Sequence, residues 1–168
     1  FYGSSKQAAE SYIERFHAIF GLKYTILRFG SLYGGRSNET SGLNAIITSG
    51  LKKKKLIYEG SAKAARRYIH VEDAVGACIK IIQKKYENKY FIITGKYLVT
   101  IRNLMNILSK FLSIASNKIG FLNNSNIGHY DIQPTPFVPR PGKLLRIKRE
   151  KNFKKSLRNL IGELRKKW

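Results

Sequence analysis

The sequence is short of acid, cysteine, proline and long apolar runs, and each shortage narrows what the chain is. Asp and Glu number 10 against 32 Lys and Arg, leaving a formal net charge of +22 over 168 residues. Clustered cations gain affinity for phosphate backbones by releasing counterions, so a nucleic-acid partner has to be weighed first. Lysine is enriched together with isoleucine and asparagine, whose codons are all AT-rich, and this bias supplies charge without a partner. Nucleic-acid binding is disfavoured on that ground, and the run Lys52 to Lys55 reads as a solvated turn.

A single cysteine, Cys78, excludes an internal disulfide. It falls on the apolar face of a predicted helix and is read as core, in keeping with a reducing, cytoplasmic setting. No apolar run approaches membrane-spanning length, and no charged-then-apolar leader opens the chain. The four prolines, Pro134, Pro136, Pro139 and Pro141, all lie in Gln133 to Gly142, which is expected to be an extended connector. The chain opens on Phe1 and its only methionine is Met105, so it is expected to be a piece of a longer chain.

What is present is a globular composition, 43% hydrophobic, arranged in alternating periods. Ala9, Tyr12, Ile13, Phe16, Ile19 and Phe20 recur at three- and four-residue steps after Gln7 and predict one buried helix face, with Gly21 as its C-cap. Tyr24 to Phe29 is apolar and β-prone, as in a strand covered on both faces of a parallel sheet. A helix over Leu43 to Leu51, short strands at Leu56 to Tyr58 and Arg67 to Val71, and a helix over Glu72 to Lys84 follow. That last helix is expected to turn Val75, Cys78, Ile79 and Ile82 inward, with Asp73 capping it. Lys89 to Thr94 reads as a strand, and Thr100 caps a helix over Ile101 to Leu112. A basic amphipathic helix with Leu157, Leu160, Ile161, Leu164 and Trp168 on one face ends the chain; docking on its own domain is the expected role. Strands alternating with helices argue for an α/β fold.

The chemistry concentrates at the start. If the first helix begins with the chain, Tyr2 and Lys6 lie four residues apart on one face. An ammonium beside a phenol favours the phenolate, which makes a tyrosine a usable base near neutral pH. The turn from Gly30 to Arg36 leaves the carboxyl end of a strand, where open α/β sheets bind ligands.

Four stretches carry a resemblance: Tyr2-Gly3-Ser4-Ser5-Lys6; Leu27-Arg28-Phe29-Gly30-Ser31-Leu32-Tyr33-Gly34; Arg66-Arg67-Tyr68-Ile69-His70-Val71-Glu72-Asp73-Ala74; and Tyr90-Phe91-Ile92-Ile93-Thr94-Gly95. Through them the sequence resembles the extended short-chain dehydrogenase/reductase family, specifically its NAD-dependent nucleotide-sugar epimerases and dehydratases. The resemblance implies the C-terminal part of a Rossmann-type parallel sheet with a small substrate-binding subdomain attached. Residues 1–35 are expected to end the NAD-binding region and 36–168 to be mainly substrate-binding, with 67–94 returning to the sheet. The glycine-rich dinucleotide fingerprint is absent, so NAD or NADP is expected to be held mainly by a missing N-terminal half.

By the same resemblance, Tyr2 is the acid/base at a sugar hydroxyl, and Lys6 binds the nicotinamide ribose. Phe29, Gly30 and Ser31 face nicotinamide and substrate, with Ser31 where many relatives carry asparagine. Asn44 and Tyr58 lie where relatives grip the nucleotide, and Arg66 and Arg140 match arginines that pair with phosphate. His70 is structural in the relatives, and no second histidine sits at metal-ligand spacing. Arg67 and Lys143 stand where acids are usual. The expected partner is a nucleotide sugar, with a homodimer through the Tyr2 to Phe20 helix a further implication. Two other readings stay open here: a stand-alone basic module for nucleic acid or acidic surfaces, and an inactive remnant of the enzyme.

Overall fold

A computed structural model describes residues 1–38, 41–122, 141–147 and 150–167. The connector from Gln133 to Pro139 and the candidate Arg140 lie outside the described residues, as does Trp168. The order of elements is α1 (Tyr2–Phe20), β1 (Thr25–Phe29), β2 (Ser31–Tyr33), α2 (Gly42–Lys53), β3 (Leu56–Glu59), β4 (Ala65–His70), α3 (Val71–Ile81), β5 (Lys89–Ile93), β6 (Leu98–Thr100), α4 (Ile101–Leu112), β7 (Ile119–Leu122), β8 (Lys143–Leu144) and α5 (Phe153–Arg165).

β1, β5 and β8 form a parallel sheet in that spatial order, with Thr25 beside Lys89 and Phe29 beside Ile93. β2 pairs parallel with β4, which pairs antiparallel with β6, and β3 pairs parallel with β7. Two cores result. One gathers α2, α4 and α5 around Ile47, Leu56, Leu104, Met105, Leu108 and Leu157. The smaller packs α3 on the first sheet through Ile69, Ala74, Ala77, Phe91 and Ile93.

α4 matches its expected bounds, and the Thr100 hydroxyl accepts from Asn103 N at 3.2 Å as a cap. Gly21 ends α1 in the left-handed conformation at φ 68°. Two helices depart from expectation. α1 has no buried residue, and Tyr12 and Phe16 are 68% and 51% exposed. Its half-buried side is instead Gln7, Glu10, Ile13, Glu14 and His17. α3 turns Ala74, Ala77 and Ile81 inward, while Ile79 and Ile82 stand 65% and 81% exposed and Cys78 is only half-buried. The apolar arc of α3 spans more than half of the helix, so its periodicity fits more than one inward face. Alanines at 74 and 77 permit close approach to the sheet.

Asp73 is not the cap of α3 either. His70 takes that place, its Nδ1 accepting from Glu72 N at 3.2 Å. The buried Asp73 carboxylate accepts from Lys151 N at 3.0 Å, and Glu150 accepts from Lys96 N at 2.9 Å, so two acids tie the segment leading into α5 across the ends of the sheets.

At Gly95 the two sheets approach backbone to backbone. A Cβ at Gly95 would lie 1.8 Å from the Tyr68 carbonyl oxygen, and neither partner is the end of a flexible side chain. Gly95→Ala is expected to lose about 3 kcal/mol or more of stability. Chemical denaturation measures this; an unchanged midpoint would mean the sheets are not so close.

Candidate functional site

α1 starts on Tyr2 itself, so the Tyr2 and Lys6 side chains share a face from the first turn. The Lys6 ammonium lies 5.1 Å from the centre of the Tyr2 ring. Both residues are exposed, as a pair must be to meet a ligand.

α1 is held against the sheet by polar bonds. Arg28 of β1 donates from Nε and Nη2 to both oxygens of Glu10, at 2.9 and 2.7 Å, a bidentate ion pair on half-buried side chains. One turn further, the Tyr90 hydroxyl of β5 donates to Glu14. His17 then packs edge-on against Tyr24, whose hydroxyl is 3.3 Å from that of Tyr90. These contacts set where α1, and hence Tyr2 and Lys6, stands relative to the ends of β1 and β5. Sequence reading overlooked them. The available signal was Glu10 and Glu14, two of only 10 acids, placed one helical turn apart.

The strand end at Phe29 is also organised by backbone approach. Gly30 N donates to Ile93 O at 2.9 Å while Ser31 begins pairing with Tyr68, so the chain leaves one sheet and joins the other at Gly30. A Cβ there would lie 2.4 Å from the Arg67 carbonyl oxygen, which reserves the position for glycine. Open α/β sheets bind ligands outside the carboxyl ends of their strands, and here Phe29 is exposed and Ser31 half-buried.

Arg66 lies in β4 and donates from Nη2 to the Tyr58 hydroxyl at 2.9 Å, so these two candidates meet. Asn44 stands apart from them. It is 1% exposed, and its Nδ2 donates to Ser37 O at 3.1 Å, anchoring the chain after β2. Its Oδ1 finds no hydrogen-bond partner among the described residues. His70 caps α3 through its Nδ1. Among the described residues no three His, Cys, Asp or Glu side chains gather as for a metal, and no helix is long and apolar enough to cross a membrane.

A cavity of about 550 Å³ lies elsewhere, between the starts of α3 and α5, lined by His70, Glu72, Lys151, Asn152 and Glu163 among others. Among the described residues, none of the sequence-derived catalytic, cofactor or substrate candidates lines it. A Glu72–Lys151 ion pair sits at its rim and holds the Glu72 carboxyl below its ordinary value.

Burial raises the Tyr90 phenol well above its ordinary value, and its hydrogen bonds to Glu14 and Tyr24 raise it further. The folded chain thus keeps a proton that the unfolded chain releases near the ordinary tyrosine value of about 10. This contribution to stability is complete below that pH and declines as pH rises above it. Tyr90→Phe is expected to flatten the alkaline fall of the melting temperature while costing about 1 kcal/mol at neutral pH. Melts across alkaline pH test it; parallel curves for the two proteins would show that Tyr90 does not carry the effect.

Comparison with known proteins matches residues 1–93 to the family described as NAD dependent epimerase/dehydratase. A putative UDP-glucose 4-epimerase of Methanocaldococcus jannaschii is 30% identical over 89 residues, covering 51% of this chain and 29% of that protein. CDP-paratose 2-epimerase of Salmonella typhi is 31% identical over 121 residues, covering 66% and 34%. Among solved structures, UDP-glucose 4-epimerase of Thermotoga maritima with UDP-glucose superposes at a TM-score of 0.78 with 22% identity, over 99% of this chain and 53% of that one. A dTDP-glucose 4,6-dehydratase of Streptomyces venezuelae with NAD bound superposes at 0.82 with 18% identity, over 98% and 51%. At such identities the likeness establishes the fold, which is Rossmann-type α/β with parallel sheets. The chain spans about half the length of these structures and about a third of the two curated relatives.

Proposed function

Because this chain belongs to the NAD-dependent epimerase/dehydratase family, we propose that it is the C-terminal portion of an enzyme acting on a nucleotide sugar, with Tyr2 as its acid/base. The observation that carries this reading is the pairing of Tyr2 and Lys6 on one exposed face of a helix whose position is braced by Arg28 and Tyr90.

The residues present fit the nicotinamide end of the cofactor. An exposed phenol and ammonium stand side by side on α1, and the Phe29-Gly30-Ser31 turn lies at the carboxyl end of a parallel strand. Lys6 offers three N–H donors for ribose hydroxyls. The pyrophosphate is assigned to residues outside this sequence. When bound, NAD supplies the hydride acceptor and donor. The rest falls to the chain's own groups. Tyr2 Oη takes the proton of a sugar hydroxyl as the C–H bond breaks, and returns it in the reverse sense. Proton and hydride leave nearly together because a free alkoxide is too unstable to accumulate.

Arg66 would pair with the substrate's diphosphate. Its bond to the Tyr58 hydroxyl orients the guanidinium and sets an aromatic ring beside it, an arrangement suited to phosphate next to a base. The buried Oδ1 of Asn44 is an acceptor for a ligand N–H, and Ser31 offers a short hydroxyl to the sugar. Residues 1–35 would belong to the cofactor-binding region and most of the remainder to substrate binding. A homodimer through the outward aromatic face of α1 and a cytoplasmic setting belong to the same reading.

In the full-length protein, Tyr2→Phe is expected to lower turnover by at least about 10²-fold while leaving NAD binding unchanged. Turnover assays with NAD titration decide it, and wild-type turnover in the variant would remove Tyr2 from the mechanism. Arg66→Leu is expected to raise KM for the nucleotide sugar by about 10-fold or more, as loss of a charged hydrogen bond does. An unchanged KM would assign Arg66 a structural role only.

A further inference from the structure

Three basic stretches far apart in sequence meet at one end of the larger core. α2 ends at Lys53 and is followed by Lys54 and Lys55, and a Cβ at Gly50 in its last turn would lie 2.7 Å from Leu112 and 3.5 Å from Ile114, at the end of α4. α5 arrives at the same place. Arg165 Nη2 donates to Phe111 O at 3.3 Å, and the Arg158 guanidinium lies 4.7 Å from the Phe111 ring. The carboxyl ends of α2, α4 and α5 therefore converge, bringing Lys110, Lys166 and Lys167 to the lysines of α2, and all of these side chains are exposed.

Acid is scarce there. Among the described residues of these helix ends the acidic side chain is Glu163, and its carboxylate is turned away, against Gly35. Glu10, Glu14, Glu72, Asp73 and Glu150 are engaged elsewhere. Cations do complement helix C-termini, but each end presents only roughly half a negative charge. The lysines and arginines gathered here exceed that several-fold, and such self-repulsion works against folding.

We propose that this surface, formed by the carboxyl ends of α2, α4 and α5, binds the phosphate backbone of a nucleic-acid duplex without regard to sequence. Repeated phosphates match cations spread over three elements, and counterion release supplies the affinity. A membrane fits less well. The apolar face of α5 is spent on the core, with Leu157, Leu160, Ile161 and Leu164 at most 3% exposed, and no large exposed hydrophobic among the described residues belongs to these helix ends. An inserting helix needs such a face. Among the described residues of these helix ends no aromatic ring is exposed, and contact with the phosphate backbone needs none.

The test uses the full-length protein and a short mixed-sequence DNA duplex, followed by fluorescence anisotropy across salt concentrations. Contact with about five phosphates gives a slope of log K against log salt of about −4 to −5. Reversing Lys54, Lys55, Lys166 and Lys167 to glutamate is expected to lower affinity by about 10-fold or more and to flatten the slope, with far-UV circular dichroism showing that the fold is kept. Glutamine at the same positions moves both in the same direction by less. A matched reversal at Lys23, Lys80, Lys84 and Lys85, exposed lysines beside the other sheet, serves as the charge control. Absence of duplex binding overturns the proposal. So does an equal loss in the control, or tighter binding to phosphatidylserine vesicles than to the duplex.

Discussion

The bidentate bond between Arg28 and Glu10 is the constraint on which the site depends. α1 carries Tyr2 and Lys6, yet none of its residues is fully buried and only Ile13 among its half-buried side chains is a large apolar one, so apolar packing does little to set it on the sheet. Two carboxylates one turn apart do that work, one gripped by a guanidinium from β1 and the other by a phenol from β5. A charge-assisted, two-point bond fixes direction as well as distance. It therefore sets the rotation of α1, and with it the direction in which Tyr2 and Lys6 face.

The second constraint is backbone against backbone. Gly30 and Gly95 let the two sheets touch where any side chain would collide with a carbonyl oxygen. That contact allows the chain to pass from β1 to β2 in one residue, so the Phe29-Gly30-Ser31 turn lies at a divergence of strands rather than on a continuous sheet. Asp73 and Glu150 then close the arrangement from the far side by holding the segment that leads into α5. A residue read as a helix cap is instead a tie between elements 78 positions apart.

The apolar surface left outside this frame is consistent in character. Phe16 and Tyr12 of α1, Ile79 of α3 and Ile82 just after it are exposed, although their spacing marks them as faces of the kind that helices bury. The chain spans about half the length of the structures it resembles. Periodicity reports that a face is apolar; it does not report which neighbour covers it.

Much was legible without the structure. α4 was readable to the residue because its strong period and its Thr100 cap agree, and Gly21 because a helix end needs the left-handed conformation. The Tyr2–Lys6 pair followed from helical spacing alone. Local rules determined these features because each depends on residues within one or two turns. Tertiary structure decided what depends on distant partners: which side of α1 and α3 turns inward, that Glu10 and Glu14 are anchors, that Arg66 meets Tyr58, and that separate basic stretches form one surface. Charge, ring and carbonyl contacts across tens of residues leave no periodic trace in sequence, because either partner is individually an ordinary surface residue until the fold brings them together.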